Sequence, residues 1–166
     1  QLLHDLNISL AISTYQAHKV IVLSAVNSDK LIQLPRTFPT AMGMAVQGNK
    51  LAIATEDTVE LLINSPNLAK GYPPKPNVYD FMYLPRLTYH TGRLALHDMI
   101  FEPDGKLTAV NTLFSCLAAI DSNHSFVPTW KPPFIDDLAP EDRCHLNGIA
   151  IDNGEIKYVS ALGKTN

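Results

Sequence analysis

Three stretches of the chain share one pattern of apolar and polar residues. They are MGMAVQGNKLAIAT from Met42, HDMIFEPDGKLTAVNT from His97 and NGIAIDNGEIKYVSAL from Asn147. In each of them a short apolar run is followed by a polar turn and a second apolar run. The turns QGN, EPDG and DNG contain Gly, Asn, Asp or Pro, which are the residues that tight turns favour. Each stretch is therefore predicted to form a β-hairpin.

Further apolar runs of strand length accompany the hairpins. KVIVLSAV, TVELLI and SCLAAID stand in the third place of their repeats, and KLIQLPR, VYDFMYLPR and SFVPTW stand in the fourth. Their aliphatic and aromatic residues favour strands, and the pattern recurs about every 50 residues, which is close to the length of a propeller blade. We therefore predict an all-β fold, a β-propeller of four-stranded antiparallel blades. A β-sandwich is the alternative, although a sandwich does not predict internal repeats.

The repeats divide the chain into four segments. Residues 1–40 are predicted to be a partial blade, residues 41–96 and 97–144 two whole blades, and residues 145–166 a second partial blade. In the first segment, ISLAISTY matches the second strand of the repeat, so the first strand is missing. The last segment contains only the first two strands of the repeat. Because propellers close with four to eight blades, we expect an incomplete propeller that packs against the remainder of the ring in a longer chain.

Composition and charge narrow the classes of partner. The 166 residues are 46% hydrophobic and 17% charged, with a net charge of −3, which is typical of a globular domain. Without a basic stripe, nucleic acid is not an expected partner, and no apolar run approaches the ~20 residues that a membrane helix needs. The two cysteines, Cys116 and Cys144, are too few for a disulfide framework, although a single disulfide between them is an open alternative. We expect a cytoplasmic protein.

Four longer stretches carry a resemblance to a family. STYQAHKVIVL, NTLFSCLAAID, HSFVPTWKPPFI and APEDRCHLNGIAI together resemble an uncharacterised bacterial family whose members are similar to propellers of six or seven blades, roughly twice this length. The resemblance covers nearly the whole chain. It implies a segment of such a ring, but it implies no activity, because a fold does not determine a function.

A more distant resemblance implies chemistry. LNGIAIDNGEIKYVS is similar to the start of a blade in the gluconolactonase and senescence-marker protein family, where the matching asparagine ligates a divalent metal in the central channel; Asn147 matches it here. HDMIFEPDGKL resembles the neighbouring blade, with His97 in place of an asparagine and Asp98 at the matching aspartate. The resemblance therefore implies a metal held by His97 and Asn147. Oxygen ligands favour calcium and imidazole favours zinc, whereas Met42, at the corresponding position of the preceding blade, suits neither.

The repeats lead to the same two positions independently. The start of each first strand in a propeller faces the mouth of the channel, so His97 and Asn147 are expected to project toward one cavity. Asp98 would then be an outer partner for the imidazole. Alternatively, His97 hydrogen-bonds the backbone of a neighbouring blade and Asn147 only forms the turn into Gly148.

The stretch PEDRCHLNG, residues 140–148, adds polar candidates beside Asn147. We expect Arg143 and His145 to join the ligand-binding residues, and Glu141 or Asp98 to be the general base if the protein is an enzyme. The alternative for Glu141 and Arg143 is an exposed, ion-paired loop.

The adjacent Cys144 and His145 look like a nucleophile with its base, which would be a different kind of site. Sequence neighbours in an extended segment point to opposite sides, however, so a relay between these two side chains is not expected. Cys116 lies in an apolar run and is expected in the core.

The sequence therefore leads to two functional hypotheses of different class. The favoured one is a binding module that holds a small molecule or a protein partner at the mouth of the channel. The alternative is a metal-dependent hydrolase of lactone or ester type, in which His97 and Asn147 are ligands and a divalent ion polarises the carbonyl.

Overall fold

The computed structural model describes residues 1–166 and is all-β, as predicted. Thirteen strands form four antiparallel sheets, and the only helices are two short ones. The chain divides into two compact units, Gln1–Met42 and Gly43–Asn166. Neither helix has the length or the apolar sequence needed to cross a lipid bilayer.

The first unit contains one three-stranded sheet. Helix α1 (Leu2–Asp5) precedes β1 (Ser9–Thr14), β2 (Lys19–Ala25) and β3 (Leu31–Thr37), which pair in that order. The sheet exposes many large apolar side chains, among them Leu10, Ile12 and Leu34.

The second unit contains the other three sheets, and in each of them the strands pair in the order in which they follow one another in the chain. The second sheet consists of β4 (Met44–Gln47), β5 (Lys50–Ala54), β6 (Thr58–Asn64) and β7 (Tyr83–His90), with α2 (Pro66–Lys70) between its last two strands. The third sheet consists of β8 (Leu96–Phe101), β9 (Leu107–Asn111), β10 (Cys116–Ile120) and β11 (Val127–Trp130). The fourth sheet pairs β12 (Leu146–Asp152) with β13 (Glu155–Ala161).

The hairpins predicted from the three turns are confirmed. β4 pairs with β5, β8 with β9, and β12 with β13, all antiparallel. Their turns contain Gly48, Gly105 and Gly154 with φ of 58°, 87° and 83°, in the left-handed region. Glycine adopts this region without the steric cost that a side chain imposes, which explains its place in the turns.

One predicted strand is shorter than expected. VYDFMYLPR was expected to be a strand throughout, but β7 begins only at Tyr83. Residues 78–82 lie outside any strand, and the amide of Met82 donates to the side-chain oxygen of Asn64 at 3.0 Å. Pairing of β6 with β7 therefore begins with Asn64 opposite Tyr83.

The core of the second unit lies on both faces of the third sheet. Its central strands β9 and β10 are buried along their whole length. Leu107 and Ala109 face a cluster that includes Ala52 and Val59 of the second sheet, whereas Val110 faces a second cluster, which includes Leu117, Ile135, Cys144 and Leu146. Alternate residues of β9 thus pack against the second and the fourth sheet, as the two-residue period of a strand requires.

The first strands of these sheets lie side by side. The amide of Gly43 donates to the carbonyl of Leu96 at 3.0 Å, and the amide of Ile149 donates to Oδ2 of Asp98 at 3.1 Å. A Cβ on Gly43 would lie 3.0 Å from the Leu96 carbonyl oxygen and 3.1 Å from backbone atoms of Asp98. Only a glycine allows this close approach of the two backbones.

A repeated backbone conformation leads into the first strands. Ala95 and His145 both have left-handed φ angles, of 52° and 46°, and Thr40 has φ of 47° at the matching position of its repeat. Each is followed by a buried apolar residue, which is Leu96 after Ala95 and Leu146 after His145. The conformation of His145 is therefore a property of the repeat, and no functional strain has to be assumed for it.

Candidate functional site

Two imidazole rings meet where β8 and β12 begin. The ring centroids of His97 and His145 are 4.9 Å apart, with the ring planes at 85°, so the contact is edge to face. His97 follows the buried Leu96, and His145 precedes the buried Leu146. The two leucines anchor the backbone in the core, and this holds both rings at the same end of their sheets.

A carboxylate orients one of these rings. Oδ2 of Asp142 lies 2.8 Å from Nδ1 of His145. A carboxylate only accepts hydrogen bonds, so Nδ1 of His145 carries the proton in this contact and Nε2 keeps a lone pair when the ring is neutral. The amide of Asp142 donates to the carbonyl of Leu113 at 2.9 Å, and the amide of Leu162 donates to the carbonyl of His145 at 3.3 Å. The loop that carries the pair is thus fixed from both sides.

Partial burial favours the neutral form of the second ring. Desolvation lowers the pKa of His97 below its ordinary value, the neighbouring His145 lowers it further, and Asp142 opposes the shift. The lowered pKa favours the neutral form of His97 more than in an exposed histidine. A neutral imidazole donates a hydrogen bond from one nitrogen and accepts at the other, where it can also ligate a metal.

Asn147 lies two residues after His145 in the sequence, but it takes no part in the contact between the two rings. It is the second residue of β12 and is exposed. As equivalent positions of two repeats, His97 and Asn147 were expected to point into one cavity. The structure brings His97 into contact with His145, which is two residues before Asn147.

Asp98 joins the third sheet to the fourth. Its Oδ1 accepts the amide of Met99 at 2.9 Å, and its Oδ2 accepts the amide of Ile149 at 3.1 Å. Gly148 lies beside this bridge, and a Cβ there would crowd Oγ of Ser160 at 3.0 Å, while its distance of 3.8 Å from Oδ2 of Asp98 is an ordinary contact. From the sequence, Asp98 was expected to support an imidazole or to act as a base. The carboxylate that supports an imidazole is Asp142, while both oxygens of Asp98 accept backbone amides.

Glu141 and Arg143 form an exposed ion pair. Nε of Arg143 donates to Oε2 of Glu141 at 2.8 Å, and Nη1 donates to Oδ1 of Asn166 at 3.1 Å. Asn166 also donates to Oδ2 of Asp136 at 2.7 Å. These contacts agree with the second expectation for Glu141 and Arg143, an exposed ion-paired loop. They also direct the side chain of Arg143 toward Asn166 at the end of the chain.

Both cysteines are buried and unpaired. Cys144 packs in the apolar cluster with Val110 and Ile135, while the neighbouring His145 turns to Asp142. The two side chains thus have different surroundings, as expected for sequence neighbours, although the left-handed backbone of His145 is not the extended segment that the expectation assumed. Burial raises the pKa of the Cys116 thiol to about 12.

The two thiols are expected to resist alkylation in the folded chain. At pH 8 a thiol with a pKa of about 12 is ionised in about one molecule in 10,000, and Cys144 is inaccessible in the core. Thiol counting with iodoacetamide and mass spectrometry should find neither Cys116 nor Cys144 modified before unfolding, and both modified in guanidinium chloride. Rapid native labelling of Cys144 would instead indicate an accessible, reactive thiol.

The resemblance implies a divalent metal at this site, and the side chains present can be compared with the ligands that such an ion needs. No three His, Cys, Asp or Glu side chains are arranged to hold an ion. Calcium takes six to eight oxygen ligands, and the nearby carboxylates of Asp98 and Asp142 already accept hydrogen bonds from a backbone amide and an imidazole. The residues present therefore do not fit a calcium site. Nitrogen donors from His97 and His145 remain, with the amide of Asn147 next to them in the chain.

Asp142 is a residue of the site that was not among the ligands and bases predicted from the sequence. The spacing Asp-Arg-Cys-His in DRCH was a usable signal, because an acid three residues before a histidine can turn back to its ring. The repeats offered a second signal, since Asp142 (φ 50°) matches the left-handed Gly92 (φ 71°) of the preceding repeat. Such a conformation makes a turn and allows the i to i+3 contact.

Comparisons with known proteins identify one family. The family model described as "Domain of unknown function (DUF4915)" matches residues 1–166. No curated protein and no solved structure matches the chain.

Proposed function

Because the chain belongs to the DUF4915 family of domains of unknown function, we propose from its own geometry that it is a β-propeller segment that binds a small molecule. The binding surface is the strand-start face, which we define as residues 95–98 and 142–148, where β8 and β12 begin. The alternative is that this face binds a protein partner.

Three features support the propeller. The second and third sheets are four-stranded meanders in chain order. Their first strands lie side by side at Gly43 and Leu96, and the third and fourth sheets are joined in the same region by Asp98 and Ile149. Successive blades of a propeller have their innermost strands side by side around a channel. We propose that the complete ring has six or seven such blades.

The contact between His97 and His145 is the single observation that carries the binding proposal. These are half-buried polar rings from two repeats, and they meet at the ends of first strands. Binding sites are commonly formed by a few polar groups that converge from separate elements. Neutral His97, Nε2 of His145 and the amide of Asn147 can together donate and accept hydrogen bonds, which suits a small molecule with hydroxyl and carbonyl groups.

A ligand screen with histidine NMR tests this proposal. The full chain in buffer with EDTA is titrated with sugar acids, hydroxy acids and lactones, and imidazole signals are recorded together with the melting temperature. At least one compound class is expected to shift the signals of His97 and His145 and to raise the melting temperature. His97→Phe and His145→Asn should abolish the effect, whereas His124→Asn should not. Binding that survives both of the first two substitutions contradicts the proposal.

Hydrolysis of a lactone or ester is the second candidate function, and the Asp142–His145 contact favours it. In this mechanism Nε2 of His145 accepts a proton from water while the water oxygen forms a bond to the acyl carbon. The carbon–oxygen bond to the leaving group then breaks, and the proton passes from His145 to the leaving oxygen, which gives an acid and an alcohol. Asp142 positions the ring. The role expected for Asp98 or Glu141 is thereby assigned to His145.

Turnover of lactones and p-nitrophenyl esters by the full chain tests the second candidate. His145→Asn should lower kcat about 100-fold or more, and Asp142→Asn should lower kcat and displace its pH profile. Asparagine suits both positions because it tolerates the left-handed backbone. An absence of turnover in the unaltered chain, or equal turnover in His145→Asn, excludes this candidate.

The two free cysteines support a reducing compartment, and we therefore propose the cytoplasm as the location of the chain.

A further inference from the structure

We infer that an internal water molecule binds to the side-chain amide of Asn111, between the second and the third sheet. Asn111 is the last residue of β9 and is fully buried. Its Nδ2 carries two N–H donors, yet no atom of the protein accepts a hydrogen bond from them. The inference concerns the interior of the fold and does not depend on the binding proposed for the strand-start face.

A backbone donor fixes the orientation of the Asn111 amide. The amide of Phe114 donates to Oδ1 of Asn111 at 3.1 Å. If the side-chain amide were turned over, two N–H groups would face each other and the Phe114 amide would lose its acceptor. Nδ2 is therefore the atom that lacks a partner. A buried donor in this state costs free energy, and native proteins satisfy such donors with ordered water where the protein offers no acceptor.

The alternation of residues along β9 gives the side to which the Asn111 side chain points. Alternate residues of a strand share a face, so Asn111 is on the same face as Leu107 and Ala109, which pack in the cluster with the second sheet. Across the strand pair it lies opposite Leu96 of β8, another member of that cluster. The water site therefore lies between the two sheets, beside the residue that precedes His97.

The other repeats show why this position has a spare donor only in the third sheet. The matching residues of the other three repeats carry a hydroxyl group: Thr14, Thr55 and Ser160. Oγ1 of Thr55 accepts the amide of Thr58 at 3.2 Å and lies 3.1 Å from the carbonyl of the same residue, to which it donates. Asn111 reproduces the first of these contacts with Phe114. Its two amide hydrogens are additional donors, and the turn after β9 does not use them.

Water is the ligand whose chemistry suits this position. The fully buried polar residues are uncharged threonines, serine and asparagine, so an ion at Asn111 would have no buried charge to compensate it. A water molecule accepts from Nδ2 and donates its own hydrogens to carbonyl oxygens, each of which has two lone pairs. The carbonyl of Leu96 accepts the amide of Gly43 and keeps a second lone pair. Internal waters typically make about three such hydrogen bonds.

A crystal structure of the full chain, at a resolution that shows ordered water, tests the inference. Electron density for one water molecule is expected about 2.7–3.2 Å from Nδ2 of Asn111. Asn111→Thr is the matched variant, because it introduces the residue that the second sheet carries. Its hydroxyl should accept the Phe114 amide as Thr55 accepts Thr58, and the density for the water should disappear.

Water NMR on the isotope-labelled, unaltered chain is a second measurement that does not rely on the variant. The side-chain N–H protons of Asn111 should give cross-peaks to water of opposite sign in nuclear Overhauser and rotating-frame spectra, which distinguishes a bound water from proton exchange. The inference is overturned if no water lies within hydrogen-bond distance of Nδ2, if a protein oxygen accepts from Nδ2 instead, or if the water keeps its place in Asn111→Thr.

Discussion

Leu96→Ala is expected to lower the free energy of unfolding by about 2–5 kcal/mol, which is the usual range for a buried leucine. Leu96 is 1% exposed and belongs to the apolar cluster between the second and third sheets. It stands directly before His97, and its carbonyl accepts the amide of Gly43. Truncation creates a cavity where two first strands meet, so the loss should be near the upper part of the range. Urea denaturation measures the change.

Leu162→Ala is the matched control for this experiment. Leu162 is 86% exposed, and an exposed substitution of this kind usually changes stability by no more than about 0.5 kcal/mol. Equal losses in the two variants would mean that Leu96 is not the buried anchor of the strand-start face.

Gly43→Ala is expected to cost about 1–3 kcal/mol, because the added methyl group overpacks the junction between β4 and β8. The new Cβ would lie 3.0 Å from the carbonyl oxygen of Leu96 and 3.1 Å from backbone atoms of Asp98. Backbone atoms cannot turn away as a flexible side chain can. The strands must separate, and the hydrogen bond from the Gly43 amide to Leu96 is weakened. Thermal and urea unfolding both report this loss.

Gly163→Ala is the control for the second prediction. A Cβ at Gly163 meets no atom within 4 Å, and neither glycine has a left-handed φ. Backbone conformation therefore cannot explain a difference between the two variants. If Gly43→Ala is as stable as Gly163→Ala, the first strands do not approach each other as closely as the structure describes.

The sequence contained enough information to predict the hairpins. Their turns carry Gly48, Gly105 and Gly154, each with the left-handed φ that selects glycine, and the flanking apolar runs have strand length. A local signal of this kind is readable because the turn residues and the strands lie next to each other in the chain. The all-β class followed from the same pattern.

The candidate site could be predicted only in part, because its contacts join residues far apart in sequence. The repeat predicted that His97 stands at the start of a first strand, and the structure has it as the second residue of β8. It did not predict the contact with His145, whose matching residue in the preceding repeat is Ala95. The ring of His145 reaches His97 because the backbone turns at Asp142 and at His145, where non-glycine residues adopt left-handed φ. Apolar periodicity carries no sign of such turns.

Asp98 looked functional in the sequence but has a structural role in the fold. An acidic residue beside a candidate ligand looks functional in the sequence, yet its two oxygens accept the amides of Met99 and Ile149. The positions that match it in the neighbouring repeats are Gly43 and Gly148. Of these two glycines, Gly43 is required by the close approach of its backbone to Leu96 and Asp98, and Asp98 itself is explained by the amides that it accepts.

The most direct test of the account is a nuclear Overhauser measurement between the rings of His97 and His145 in the full chain labelled at histidine. The proposed binding face exists only if these rings, from the starts of two first strands, lie together. With centroids 4.9 Å apart, the account predicts a cross-peak between their ring protons and none from either ring to His124. Absence of the cross-peak between His97 and His145 in the folded chain would contradict it.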